Sequence, residues 1–289
     1  MKNKSSSHPV QPKSREELKI LITTEINKNG NQCDLNHIDV SLVTDFYFLF
    51  YHSKFNGDIS KWNVSKAMNM VSMFDGSKFN GDISGWDVSS VMHMSNLFAN
   101  SEFNGDISKW DVSGAVNMAL MFTDSKFDSD ISKWNVSGVA DMQCMFLTSV
   151  FNGDISKWDV SGMKNAQCMF QGSQFNGDIS GWDVSGVTDM SSMFHDSKFN
   201  GDVSGWNVSS VNYMSSMFCC SPFNGDVSDW NRLSSVYDRN IFFRSKIAKN
   251  LGVKAPSFEQ VKSYFLVKKL EMNLQKTLLK DGKASKVRL

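Results

Sequence analysis

Eight aspartates, Asp58, Asp82, Asp106, Asp130, Asp154, Asp178, Asp202 and Asp226, recur at intervals of 24 residues. Columns of carboxylate beside glycine are the raw material of a calcium roll. Each turn here offers one carboxylate, however, and calcium takes about six to eight oxygens. Capping of local backbone amides is therefore the expected use of these turn aspartates. A second polar column runs Asp39, Asn63, Asp87, Asp111, Asn135, Asp159, Asp183, Asn207 and Asn231. Two residues before it lie Lys61, Gly85, Lys109, Lys133, Lys157, Gly181, Gly205 and Asp229. These columns predict either a solvated face on which Lys and Asp neutralise each other or a ligand-binding face. Asp87, Asp111, Asp159, Asp183, Asn207, Lys109, Lys133 and Lys157 are the candidate ligand-binding residues.

Other chemistry is sparse. His8, His37, His52, His93 and His195 read as sharing neither a column nor a metal-ligand spacing. Cys33, Cys144, Cys168, Cys219 and Cys220 make no even disulfide framework. Cys144 and Cys168 occupy one repeat position but read as lying on a helical side, with coils too far apart for a disulfide. Cys219-Cys220 reads as an accidental neighbour pair. Methionines in phase with phenylalanine read as core, not as soft-metal ligands. Outside the repeat there is no Ser/His/Asp set, phosphate loop or paired acid, and an enzyme needs an irregular, convergent cluster. No catalytic residue, metal, cofactor or small-molecule substrate is expected.

The element that carries these columns is Phe55-Asn-Gly-Asp-Ile-Ser-Lys-Trp-Asn-Val-Ser65, echoed at Phe79, Phe103, Phe127, Phe151, Phe175, Phe199 and Phe223. A strict period in this range signals a solenoid. Trp62-Asn63-Val64 alternates apolar and polar as a short half-buried strand does. The apolar positions 67, 70, 73 and 74 then follow helical spacing, with Ser65 placed as an N-cap. Asn56-Gly57-Asp58 predicts a turn with a positive φ at the glycine. About eight buried apolar side chains, at ~1.5–3 kcal/mol each, do not offset the backbone entropy of 24 residues, at ~1–2 kcal/mol each. One coil alone cannot fold, so neighbours must close both its ends.

Ile59-x-x-Trp62-x-Val64 has leucine-rich-repeat spacing with Trp and Val in place of Leu. Together with Val187-x-x-Met-x-x-Met-Phe194, the unit resembles the short tandem repeat of bacterial surface proteins and mycoplasma-type lipoproteins, the BspA-like leucine-rich-repeat relatives. The resemblance covers residues 31–245. It implies a right-handed α/β solenoid of about nine coils, each with one short parallel strand and one short helix. It also implies adhesion or protein binding, and it brings no catalytic residues.

The chain divides into a disordered segment 1–13, an N-terminal capping helix 14–30, the solenoid 31–245, and a basic C-terminal helical cap and tail 246–289. Ser14-Arg-Glu-Glu17 is a capping box, and Leu18, Leu21, Ile22 and Ile26 are the helix's apolar face. In the eighth repeat Asn231-Arg232-Leu233 reads as a one-residue insertion, and Arg239 as the replacement of a column Met. Formal net charge is zero, yet 246–289 holds eleven Lys or Arg against three acids, so the solenoid is acidic. Phe258, Val261 and Phe265 form a stripe that reads as continuing through Leu266, Leu270, Leu274 and Leu278. The N-terminus has no apolar core of a signal peptide, and no segment is long and apolar enough to span a membrane. The resemblance, rather than a leader, is what points to a secreted or surface location; without it the location is cytoplasmic. The expected function is non-enzymatic protein binding, directed at a host protein. The alternatives are a basic helix over 257–288 that binds nucleic acid or acidic membrane, and homo-oligomerisation through that helix.

Overall fold

In the computed structural model, which describes residues 10–232 and 236–280, the 24-residue period becomes a stack of coils. Each coil is a succession of tight turns. In the coil from Phe55, the amides of Trp62, Ala67, Met73 and Ser77 donate to the carbonyls of Ile59, Val64, Met70 and Phe74 at 2.8–3.1 Å. Each of these bonds closes a four-residue turn. Among the described residues the helices are α1 (Arg15–Asn29), α2 (Lys246–Leu251) and α3 (Phe258–Lys280). The expected helix in every coil is absent.

The reason lies at two left-handed residues per coil. Ser72 has φ 53° and Gly76 φ 65°, and positive values recur in both columns, as at Asn96, Asn100, Leu120 and Asp124. A left-handed residue at every fourth position stops a right-handed helix from propagating. It turns alternate amides toward the next coil instead. Met70, Ser72, Phe74 and Gly76 donate to the carbonyls of His93, Ser95, Leu97 and Ala99 at 2.8–3.0 Å.

This ladder also moves the sheet-like edge. Parallel backbone pairs run Asp45–Asn69–His93–Asn117–Asp141–Asn165–Asp189–Tyr213–Tyr237, in the Met–Phe half of the coil. The segment expected as a strand, Trp62–Val64, lies in the other half, which side chains tie together. Before the last repeat, each asparagine of the Phe-Asn turn accepts from the amide one coil on: Asn80 from Asn104 and Asn152 from Asn176, both at 2.8 Å. Asp128 takes that place in its own coil and accepts from Asn152 at 2.9 Å.

The core is a set of aromatic columns. Phe55, Phe79 and Phe103 stack at 6.2–6.3 Å with planes 2–3° apart, and Phe74 and Phe98 stack at 5.7 Å. Met70, Met73, Trp62 and Val64 are buried beside them. The glycine of the Asn-Gly-Asp turn serves close approach rather than a positive φ. A Cβ on Gly81 would stand 2.9 Å from the Phe79 ring, and the left-handed glycines are Gly30, Gly76, Gly172 and Gly252. Ser129 occupies this column once, and its hydroxyl donates to the Asn104 carbonyl at 3.0 Å.

The ends are covered differently. Glu17 N–H donates to Ser14 Oγ, and the Glu17 carboxylate accepts from the amide of Lys13. Leu18 and Ile22 are buried against the first coil, with Leu21 and Ile26 partly buried. Residues 10–13, expected to be disordered, lie on that coil: Val10 pairs with Ile38, and Gln11 donates to Asp39. Residues 1–9 and 281–289 fall outside the described residues.

At the other end the register corrects the expected insertion. Tyr213–Tyr237 and Phe218–Phe242 keep the 24-residue step. Asp238, not Arg239, therefore stands in the Met214 column, and it pairs with Arg232 at 3.1 Å. Arg232 also covers the Phe258 ring of α3 at 4.5 Å. Lys269 of α3 reaches Asp229 at 2.7 Å and Asp226 at 3.1 Å. The Ser257 hydroxyl accepts from Gln260 N–H while the Gln260 side chain accepts from Ser257 N–H, which closes the start of α3. No described helix is long and apolar enough to cross a membrane.

Candidate binding face

Asp87, Asp111, Asp159, Asp183 and Asn207 are all exposed, as are Lys109, Lys133 and Lys157. The alternation that buries Trp and Val turns the residue between them outward even without a strand. The expected sheet face is thus a face of stacked turns.

Each acid of this column also closes its own turn. Asp87 Oδ1 accepts from Ser89 N–H at 3.1 Å, Asp111 from Ser113, Asp159 from Ser161 and Asp183 from Ser185, each at 3.0 Å. Asn207 does the same with Ser209 at 3.1 Å. The serine that was expected to cap a helix thus serves the side chain two residues before it. The hydroxyls and amides of Ser113, Ser161 and Ser185 hold the carboxyls of Asp111, Asp159 and Asp183 below the usual range. These acids stay ionised, with one oxygen in the turn and the other free to face a ligand.

The Asp58 column is built alike. Asp58, Asp106, Asp154 and Asp178 accept from Ser60, Ser108, Ser156 and Ser180 at 2.9 Å. This is amide capping, and each turn supplies a single carboxylate. The ladder pairs carry a third set: Asn69, Asn117, Asp141 and Asp189 accept from the amides two residues on.

The face has three zones along the stack. Lys109, Lys133 and Lys157 form a basic stripe over three consecutive coils. On both sides the same column is glycine, at Gly85 and at Gly181 and Gly205, where an added Cβ would meet nothing within 4 Å. There Asp82 with Asp87, and Asp178 with Asp183, have no lysine in that column of their own coil, with Lys61 standing one coil before Gly85. Asp229 ends the column and is engaged by Lys269 of α3. A basic centre with open acidic shoulders can read a charged surface.

Two other readings change. Cys144 and Cys168 lie on the ladder rather than on a helical side: Cys144 N–H donates to Gln167 O at 2.8 Å. Parallel rungs about 4.8 Å apart fall inside a disulfide's Cα window. The neighbouring Cys168 sulfur, together with burial, pushes the Cys144 thiol up, while the Cys144 thiol draws Cys168 down. The expected leucine stripe of α3 is not continuous with its buried face. Phe258 and Val261 are buried, whereas Leu270 and Leu274 are 68% and 62% exposed.

The repeats match the family described as Mycoplasma protein of unknown function, DUF285, in three overlapping stretches, residues 22–124, 77–174 and 149–255. The chain belongs to that family. The matched stretches cover every described coil, the laddered half and the turn face alike. No curated protein and no solved structure matches the chain.

Proposed function

We propose that this chain is a non-enzymatic, protein-binding solenoid of a bacterial surface or secreted type. It would take a protein partner, a host protein in the adhesin-like case, through the face that carries Asp87, Asp111, Asp159, Asp183, Asn207, Lys109, Lys133 and Lys157. One observation supports this above others: the acids of that face are held by their own turns, so their charges are fixed before any partner arrives. A preordered charged face loses little side-chain entropy on binding and steers a complementary partner. The BspA-like resemblance supports the same reading.

The test presents immobilised full-length protein to proteins of the producer's surroundings, comparing wild type with D159K/D183K and with K133E. Capture of one defined partner by wild type, lost in both variants with unchanged thermal unfolding, supports the face. Equal capture by all three proteins places binding elsewhere. Fractionation of producing cells tests location, and confinement to the cytosol would overturn the surface or secreted part.

A second reading rests on α3. Val267, Leu270, Leu274 and Leu278 lie along one side of the helix, and their spacing of three and four suits a helical partner. Self-association through this helix is the form it takes here, with binding of acidic membrane or nucleic acid by its lysines as the other outcome.

A further inference from the structure

Subtracting the period of 24 sets His195 and Cys219 in one column on adjacent coils. The next residue, Cys220, has φ 59°. In extended chain, neighbouring side chains point to opposite faces. The left-handed turn at Cys220 brings its sulfur back to within 3.5 Å of the Cys219 sulfur. The imidazole nitrogen of His195 joins them, with all three donor atoms within 4.8 Å of one another.

We propose that His195, Cys219 and Cys220 form a binding site for a thiophilic transition-metal cation of the zinc class. Zinc holds sulfur at about 2.3 Å and imidazole nitrogen at about 2.0–2.1 Å in a tetrahedral set. Two sulfurs on one such ion are then about 3.7 Å apart, close to the separation already present. The donor softness favours zinc, cadmium, cobalt(II) or copper(I) over magnesium or calcium. Two thiolates and a neutral imidazole balance a divalent charge. The loaded site would thus be neutral, which is compatible with the Arg244 guanidinium beside Cys219. Binding releases the two thiol protons to solvent and changes no oxidation state.

The fourth position faces outward. Cys220 is exposed and borders a cavity of about 520 Å³ that Arg244, Lys249 and Lys254 also line. Its cationic wall suits water, hydroxide or an anionic donor as the fourth ligand. The donors of this site are not neighbours in sequence: His195 and Cys219 are a whole repeat apart and meet across coils.

The experiment titrates cobalt(II), then cadmium, into reduced full-length protein and follows the thiolate-to-metal charge-transfer band. One equivalent should bind, with tetrahedral cobalt d–d bands. C219S and C220S should each abolish the charge-transfer signal or weaken binding at least about tenfold. H195Q, at a half-buried position that packs no core column, should weaken it similarly while thermal unfolding stays unchanged. The C144S/C168S double variant should bind as wild type does. Absence of stoichiometric binding, an unaltered spectrum in H195Q, or loss of the signal in C144S/C168S would overturn the site.

Discussion

The indole Nε1 of Trp158 donates to the carbonyl of Ile131, one coil below, at 3.0 Å. The same bond recurs from Trp86 to Ile59, Trp110 to Ile83 and Trp182 to Ile155. In the half of the coil that lacks the backbone ladder, this side-chain bond and the stacked rings join neighbours. Tryptophan is therefore required twice at this position, for apolar volume and for a donor that reaches the next coil.

Replacing Trp158 separates the two roles. Trp158→Phe keeps most of the volume but removes the indole donor. The Ile131 carbonyl keeps its bond from Trp134 N–H, so the loss should be that of one net hydrogen bond, ~0.5–1.5 kcal/mol. Trp158→Ala removes the volume as well and should cost ~3–5 kcal/mol. Denaturant unfolding of both variants measures the difference. Equal losses for Phe and Ala would mean that the hydrogen bond carries most of the effect.

The left-handed columns predict a stabilising change. Thr148 has φ 53°, a conformation poorly suited to a β-branched residue. Asn100, one of its column mates, is a type that visits this region with little cost. Thr148→Asn should raise stability by ~1 kcal/mol, read as a higher unfolding midpoint. The reverse strain at Gly172, φ 66°, makes Gly172→Val destabilising, since its Cβ would also stand 3.0 Å from the Thr148 side chain.

These columns also separate what was legible in the sequence from what was not. The stack and its buried columns were legible because Phe, Trp, Met and Val recur at a fixed interval. The local structure was misread because positions 67, 70, 73 and 74 imitate a helical stripe. Consecutive turns with left-handed residues also bring every third or fourth side chain inward. A distinguishing signal lies in one column only: Gly76, Asn100, Asp124, Gly172 and Asp196 are types that tolerate a positive φ, whereas the other column mixes Asn96 and Asn240 with Ser72, Leu120 and Cys144. The exposed Asp and Lys columns were legible from alternation alone. The His195–Cys219 juxtaposition is legible only when positions one repeat apart are superposed.

Acid should loosen the turns. Folded-state pKa values of Asp111, Asp154, Asp159, Asp178 and Asp183 are depressed by serine hydroxyls and amides. Their contribution is complete above the unfolded carboxylate value of about 3.9. It is lost as pH falls through the lower folded values. The unfolding midpoint should therefore hold from neutral pH to about 4–5 and drop below that. Asn63, Asn135 and Asn207 make the same turn contact without titrating, so a protein carrying Asp→Asn at the five positions should show a shallower acid limb. An identical acid limb in that variant would assign the loss to other carboxylates.

The final coil and α3 are joined by Lys269, whose ammonium meets Asp226, Ser228 and Asp229, and by Arg232, 17% exposed between Asp238 and the Phe258 ring. Lys269→Ala removes a partly exposed ion pair and should change global stability by less than ~1 kcal/mol. It should nonetheless speed amide exchange and tryptic cleavage along α3, since local opening follows local contacts. Arg232→Ala should cost more, because it strands Asp238 in a column of apolar residues, Met70, Met94, Met118, Met142, Ala166, Met190 and Met214. The exposed leucines give the matching test of association. If α3 pairs two copies, wild type should sediment as a dimer at micromolar concentration, and L270K/L274K as a monomer of unchanged thermal stability. A wild type that stays monomeric when concentrated removes self-association and leaves the lysines of α3 to be tested on anionic vesicles, where salt should weaken binding steeply.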